Sequence, residues 1–195
     1  TAAGKFLKMM PGAPKLNGMR EMTLDVLKEW WVYMFQCTEC RRCSVFCPYG
    51  IDTAEITMAA KEIMDCVGYG QKYSNEIIGK VHRIGNNLGL PGPALEDTLL
   101  GLEEDVKEET GADVKFPLDL KGAEVLLVTP SADFFAEPHV FSLVGYAKVF
   151  HAAGIRWTLS SHASEAGNFG LFIGNYAQLQ KIALRIREAA LDLGV

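Results

Sequence analysis

Cys37-Thr-Glu-Cys40-Arg-Arg-Cys43-Ser-Val-Phe-Cys47-Pro48 is the stretch that decides how this chain is read. Four thiols stand at i, i+3, i+6 and i+10, with a proline directly behind the last. Zinc sites usually divide their ligands into two distant pairs and often include histidine. Three cysteines at two-residue intervals, then a fourth followed by Pro, match the bacterial iron–sulfur spacing instead. A backbone winding at that spacing points successive thiolates at adjacent corners of one cube, and the proline stops the turn from running on as helix. Cys37, Cys40, Cys43 and Cys47 are therefore the candidate ligands of a 4Fe-4S cluster. In two-cluster proteins the fourth cysteine of each run ligates the other cluster. This chain has one such run, and its fifth thiol, Cys66, stands alone in a helical stretch. Either one cluster takes all four thiols, or Cys47 belongs to a second cluster whose other ligands lie outside these residues. Cys66 reads as a buried apolar thiol.

Working outward, helices bracket the cysteine loop. Thr23 can cap a helix over 24–35, with Leu24, Leu27, Trp31, Met34 and Phe35 near one face. Trp30 and Trp31 fill a core, shield the cluster from water, or do both. Asp52 with Glu55 matches an acid-first helix start. That helix covers about 53–66, with Ile56, Ala59, Ala60 and Ile63 inward. A further helix runs from Ser74 to Ile84 and ends near Gly85. Residues 85–95 are a loop by composition, and 95–111 an acidic helix. Glu103, Glu104, Asp105, Glu108 and Glu109 read as its solvated face.

The pattern changes after a linker at 112–122. Residues 123–129 read as a buried parallel strand, 139–153 as a helix, 155–159 as a second strand and 176–193 as an amphipathic helix. Strand–helix–strand implies a right-handed crossover and a parallel sheet. The expected architecture is α+α/β. Residues 1–20 form an irregular lead-in, and 21–111 an all-helical 4Fe-4S ferredoxin-like domain that includes the acidic helix. Residues 123–195 then start a parallel α/β domain. With no initial Met, and with two strands too few for a stable sheet, the chain is expected to be the middle of a longer protein.

The 195 residues are 49% hydrophobic, enough for genuine cores. The net charge of −5 is uneven. Residues 1–50 carry seven Lys/Arg against four Asp/Glu, and residues 91–124 three against ten. A nucleic-acid protein would show a basic surplus, so that class is set aside. There is no secretory signal layout and no run near the ~20 apolar residues of a membrane span. Cysteines committed to metal fit a reducing compartment. Arg41 and Arg42 sit inside the cysteine loop. Positive charge there raises a cluster's potential or forms a docking patch for an acidic electron partner.

Other signals in the chain are weaker. Gly167-Asn-Phe-Gly170 precedes a helix but matches neither nucleotide fingerprint. Ser131, Asp133 and Glu137 follow the first strand, where α/β sites form, but read as loop and cap groups. Among the scattered histidines, His162, beyond the second strand, is the one worth testing as a proton donor.

The segment from Cys37 to Ile56 resembles the DsrK family, the heterodisulfide-reductase-like iron–sulfur subunits of membrane-attached DsrMKJOP complexes. Residues 77–93, 128–139 and 170–194 carry further likeness. The resemblance implies two cysteine runs in a helical domain, of which the run here is similar to the second. By that likeness Cys37, Cys40 and Cys43 hold one cubane, completed by an upstream cysteine, and Cys47 serves a second cubane. A downstream Cys-Cys-Gly module would carry a catalytic non-cubane cluster, so the catalytic residues lie outside this chain. The implied activity is oxidoreduction of a protein disulfide or trisulfide on a DsrC-type small protein. The implied partners are a membrane haem subunit and other DsrMJOP-type subunits, with the protein peripheral on the cytoplasmic face of the inner membrane. The iron–sulfur subunit of a glycolate or lactate oxidase, or of a methanogen heterodisulfide reductase, is the rival reading. A structural module with the cluster as a folding staple is a third.

Overall fold

Thr23 opens the first helix, α1 (Leu24–Met34), its hydroxyl accepting from the Val26 N–H at 3.4 Å. The computed structural model describes residues 23–166 and 169–195. The lead-in expected at 1–20, and Gly167 and Asn168, lie outside the described residues. The described residues divide into two compact units, with the boundary between Gly70 and Gln71.

In the first unit α1 packs against α3 (Thr53–Cys66), and the short α2 (Arg42–Val45) lies between them in sequence. Asp52 caps α3 as expected, its Oδ1 accepting from the Glu55 N–H at 3.3 Å. The buried face of α3 matches the expected one only at Ala60. Ala54, Met58, Ala60, Lys61 and Met64 are buried, while Ile56 and Ile63 are more than half exposed and Ala59 is exposed. Both faces of α3 carry apolar residues, and the one that is buried runs through 54, 58, 61 and 64. On α1, Leu24 and Trp31 are exposed; Val26 and the following Phe35 supply the buried contacts. Cys66, expected to be buried, is exposed at the last position of α3.

In the second unit α4 (Lys72–Ile84) buries Ser74, Ile77, Ile78 and Val81. It begins two residues before the expected Ser74 and ends at Gly85. Gly85 has φ +102°, and a Cβ there would lie 2.4 Å from the His162 carbonyl oxygen. Only glycine fits that backbone and that space. Asn86 closes the next turn by bonding both ways to the Leu90 backbone, at 2.8 and 2.9 Å. α5 (Gly92–Thr110) follows and stops at Gly111 in the left-handed conformation.

Parallel strands β1 (Val125–Leu126) and β2 (Trp157–Thr158) pair in the register Val125↔Trp157 and Leu126↔Thr158. A parallel bridge joins Leu118 to Leu159 on the other side of β2. The ladder is shorter than the runs 123–129 and 155–159 that the sequence marks. α6 (Val140–Ala153) is the crossover between the strands. α7 (Phe169–Phe172) and α8 (Tyr176–Leu193) complete the unit. α8 is capped by Asn175, which accepts from the Gln178 N–H at 3.1 Å.

One core joins Leu95, Leu99 and Val106 of α5 to Val114, Phe116, Phe134, Leu143, Ala147, Trp157 and Leu159. The acidic helix therefore shares its core with the sheet. The sequence placed a domain boundary at 112–122, whereas the chain divides between Gly70 and Gln71. Polarity along α5 marks its wet face; it does not say which neighbour covers the dry one. The acidic residues are exposed except Glu103, which is half-buried and accepts from the Phe116 N–H at 2.8 Å.

Candidate metal centre

The cysteine loop winds because two of its residues adopt the left-handed conformation. Glu39 has φ +57° and Arg41 φ +59°. Neither is glycine, and each such residue costs about 1–3 kcal/mol and persists only where its surroundings fix it. Here α3 fixes both through their side chains. The Arg41 guanidinium lies 2.8 Å from Asp52 Oδ2 and 2.6 Å from Glu55 Oε1. Glu39 Oε1 lies 3.0 Å from the ammonium of Lys61. That contact is an ion pair whose angle falls outside hydrogen-bond geometry. The Lys61 ammonium donates instead to the Cys37 carbonyl at 2.7 Å. Ser44 of α2 donates to Asp52 Oδ1 at 2.6 Å, and its oxygen accepts from the Ala54 N–H at 3.3 Å. The loop is thus tied to the start and the middle of α3.

This frame presents the thiols outward. Cys40 and Cys43 are exposed, Cys37 and Cys47 half-buried, and none is in a disulfide. The Arg42 backbone N–H, helped by the Thr38 hydroxyl and the Arg42 charge, holds the Cys40 thiol below the usual cysteine range. That favours thiolate, the form that binds metal. The Ile51 N–H donates toward the Cys47 sulfur at 3.4 Å. Among the described residues no group of three or more His, Cys, Asp or Glu converges to hold a single ion. A cube presents its corners apart, so its thiolates need not meet at one point. The donor set, the lowered Cys40 thiol and the N–H aimed at Cys47 sulfur fit an iron–sulfur group.

The two arginines separate in role. The charge of Arg41 is taken up by Asp52 and Glu55, and the same carboxylates push its guanidinium pKa further up. Asp52 is held below the usual carboxylate range, first by the Ser44 hydroxyl and then by the Glu55 N–H and Arg41. Arg42 acts on the Cys40 thiol through its backbone N–H and, more weakly, its charge. Replacing Arg42 with Gln is expected to lower the midpoint potential of the bound cluster in a redox titration. Arg41→Gln is expected to move it less, and equal shifts in the two variants would show that this division is wrong.

Over all of this chain, the sequence is 44% identical to the "Hdr-like menaquinol oxidoreductase iron-sulfur subunit 2" of Archaeoglobus fulgidus, of which it covers 35%. The two curated relatives that it matches are named Hdr-like menaquinol oxidoreductase iron–sulfur subunits. The corresponding Hdr-like subunit of Archaeoglobus profundus is 40% identical over 93% of this chain and 33% of its own length. The chain spans about a third of the length of these curated Hdr-like relatives. Neither a family profile nor a solved structure matches it. No helix among the described residues is long and apolar enough to cross a membrane.

The other residues singled out by sequence lie in the second unit. Ser131 is buried, and its hydroxyl donates to the buried Glu165. Asp133 is buried, and burial pushes its carboxyl up while His139, 3.8 Å away, partly offsets this. Glu137 is exposed. His162 is exposed, with Nε2 3.4 Å from Glu188. Gly170 has a packing reason, since a Cβ there would lie 2.3 Å from the Leu179 nitrogen. Lys61 and Glu39 are the residues that sequence reading missed at the cysteine loop. The one available signal was position: Lys61 continues the Ala54, Met58, Met64 row on α3.

Proposed function

We propose that this chain is the electron-relay section of an Hdr-like iron–sulfur subunit in a membrane-associated, quinol-linked oxidoreductase. The observation that carries the reading is the wound Cys37–Cys47 loop, clamped to α3, in a chain whose relatives are named iron–sulfur subunits. On this reading the first unit is a helical, ferredoxin-like cluster domain. Cys37, Cys40 and Cys43 hold one 4Fe-4S cubane, and Cys47 serves that cubane or a second one. A bound cubane accepts and returns one electron at a time. Clamping of Glu39 and Arg41 keeps the ligand backbone in place, so little reorganisation accompanies each transfer.

The finer reading follows the resemblance to DsrK. Electrons pass between a membrane haem subunit of the DsrMJOP kind and a catalytic non-cubane cluster carried elsewhere in the whole protein. The partner redox group is a disulfide or trisulfide on a DsrC-type small protein, met at the cytoplasmic face of the inner membrane. A disulfide needs two electrons, and a cubane carries one. A relay feeding a dedicated cluster answers that mismatch.

The test is an anaerobic redox titration of the full-length subunit, followed by electron paramagnetic resonance. A reversible one-electron signal from the cubane is expected. A cluster that forms but cannot be reversibly reduced would mark it as a folding staple and end the relay reading.

A further inference from the structure

We propose that Lys61 is the positioning residue that presets the cysteine loop for its cluster. The inference rests on the iron–sulfur reading above, and its test separates the two. The Lys61 side chain has no exposed surface, and that of Glu39 has only 3%. Burying an ammonium in a small core is costly, and apolar residues of similar volume often match or exceed the stability of a buried ion pair. Stability alone therefore gives no reason for a lysine at this place. Met58 and Met64 on the same row show what the core accepts without charge.

Three contacts of the ammonium fall on one short segment leading into the thiols. It lies 5.9 Å from the centre of the Phe35 ring. It donates to the carbonyl of Cys37 at 2.7 Å. It pairs at 3.0 Å with Glu39, the first left-handed residue of the loop. Methionine offers none of the last two contacts. Groups that hold a ligand in place typically change metal affinity about 10–100-fold when removed. Lys61 acts through Cys37 and Glu39, and touches no metal itself.

The pair also has an electrical signature. Lys61 and Glu39 together are neutral. Where the remaining group stays ionised, removing the lysine alone leaves a negative charge between Cys37 and Cys40, and removing the glutamate charge alone leaves a positive one. A negative neighbour disfavours the added electron and a positive one favours it.

The experiment uses the full-length subunit, purified anaerobically, as wild type, Lys61→Met, Glu39→Gln and the double variant. Iron release to a chelator and the cluster midpoint potential are measured. Lys61→Met is expected to release iron about 10-fold faster or more and to lower the potential. Glu39→Gln is expected to raise the potential. The double variant, neutral again, is expected to return the potential toward wild type while still releasing iron fast. If Lys61→Met does not fold, the double variant carries the test through its release rate. Wild-type release rates in the variants that fold, or shifts of one sign in both single variants, would overturn the positioning role. A wild-type protein without iron would overturn the reading beneath it.

Discussion

Replacing Cys40 with Ser is expected to abolish the cubane signal and the turnover of the full-length subunit. Cys40 is the exposed thiol at the centre of the winding, between the left-handed Glu39 and Arg41. The Arg42 N–H lowers its pKa directly, and the Arg41 clamp onto Asp52 and Glu55 fixes the turn behind it. Serine preserves the size and the hydrogen bond but offers an alkoxide that does not form at neutral pH. The loop should therefore keep its shape while losing a ligand. Circular dichroism is expected to be unchanged, with the iron–sulfur absorption and resonance lost. Turnover that survives the substitution would rule out a relay through this loop.

Replacing Trp157 with Ala is expected to destabilise the second unit by about 3–5 kcal/mol, the usual cost of deleting a buried large aromatic side chain. Trp157 is 5% exposed and sits on β2 opposite Val125. Its ring meets Phe116 edge-on at 6.3 Å and Phe150 at 5.3 Å. It is therefore where the linker, the crossover helix and the sheet come together. With only two-residue strands, the backbone ladder cannot hold these pieces without the side chains. Urea unfolding followed by circular dichroism should show the midpoint falling by about 1 M or more. Leu184→Ala, at an exposed position of α8, should change stability by less than about 0.5 kcal/mol. Equal effects from the two would mean that Trp157 is not at the centre of the core.

Much of the secondary structure was legible because it is written in local chemistry. Thr23 and Asp52 cap where a hydroxyl or carboxylate can reach an unpaired N–H. Gly85, Gly111, Gly154 and Gly194 end helices in the left-handed conformation. The cysteine spacing carries the proposed metal reading for a similar reason, since a cluster would fix the intervals between its ligands. What was not legible depends on partners distant in sequence. Polarity rules place a lysine on the wet side of a helix, so Lys61 was passed over and Ile56 and Ile63 were turned inward. The left-handed backbone at Glu39 and Arg41 has no residue-type signal, because it is imposed by side chains reaching α3. The strands were overdrawn because an apolar run shows that a segment is buried, not how many residues find ladder partners.

The most direct measurement is metal and acid-labile sulfide content of the anaerobically purified full-length subunit. Iron and sulfide in matching amounts, lost together in Cys40→Ser, are predicted. Zinc in place of iron, or a folded subunit with no metal, would contradict the central claim.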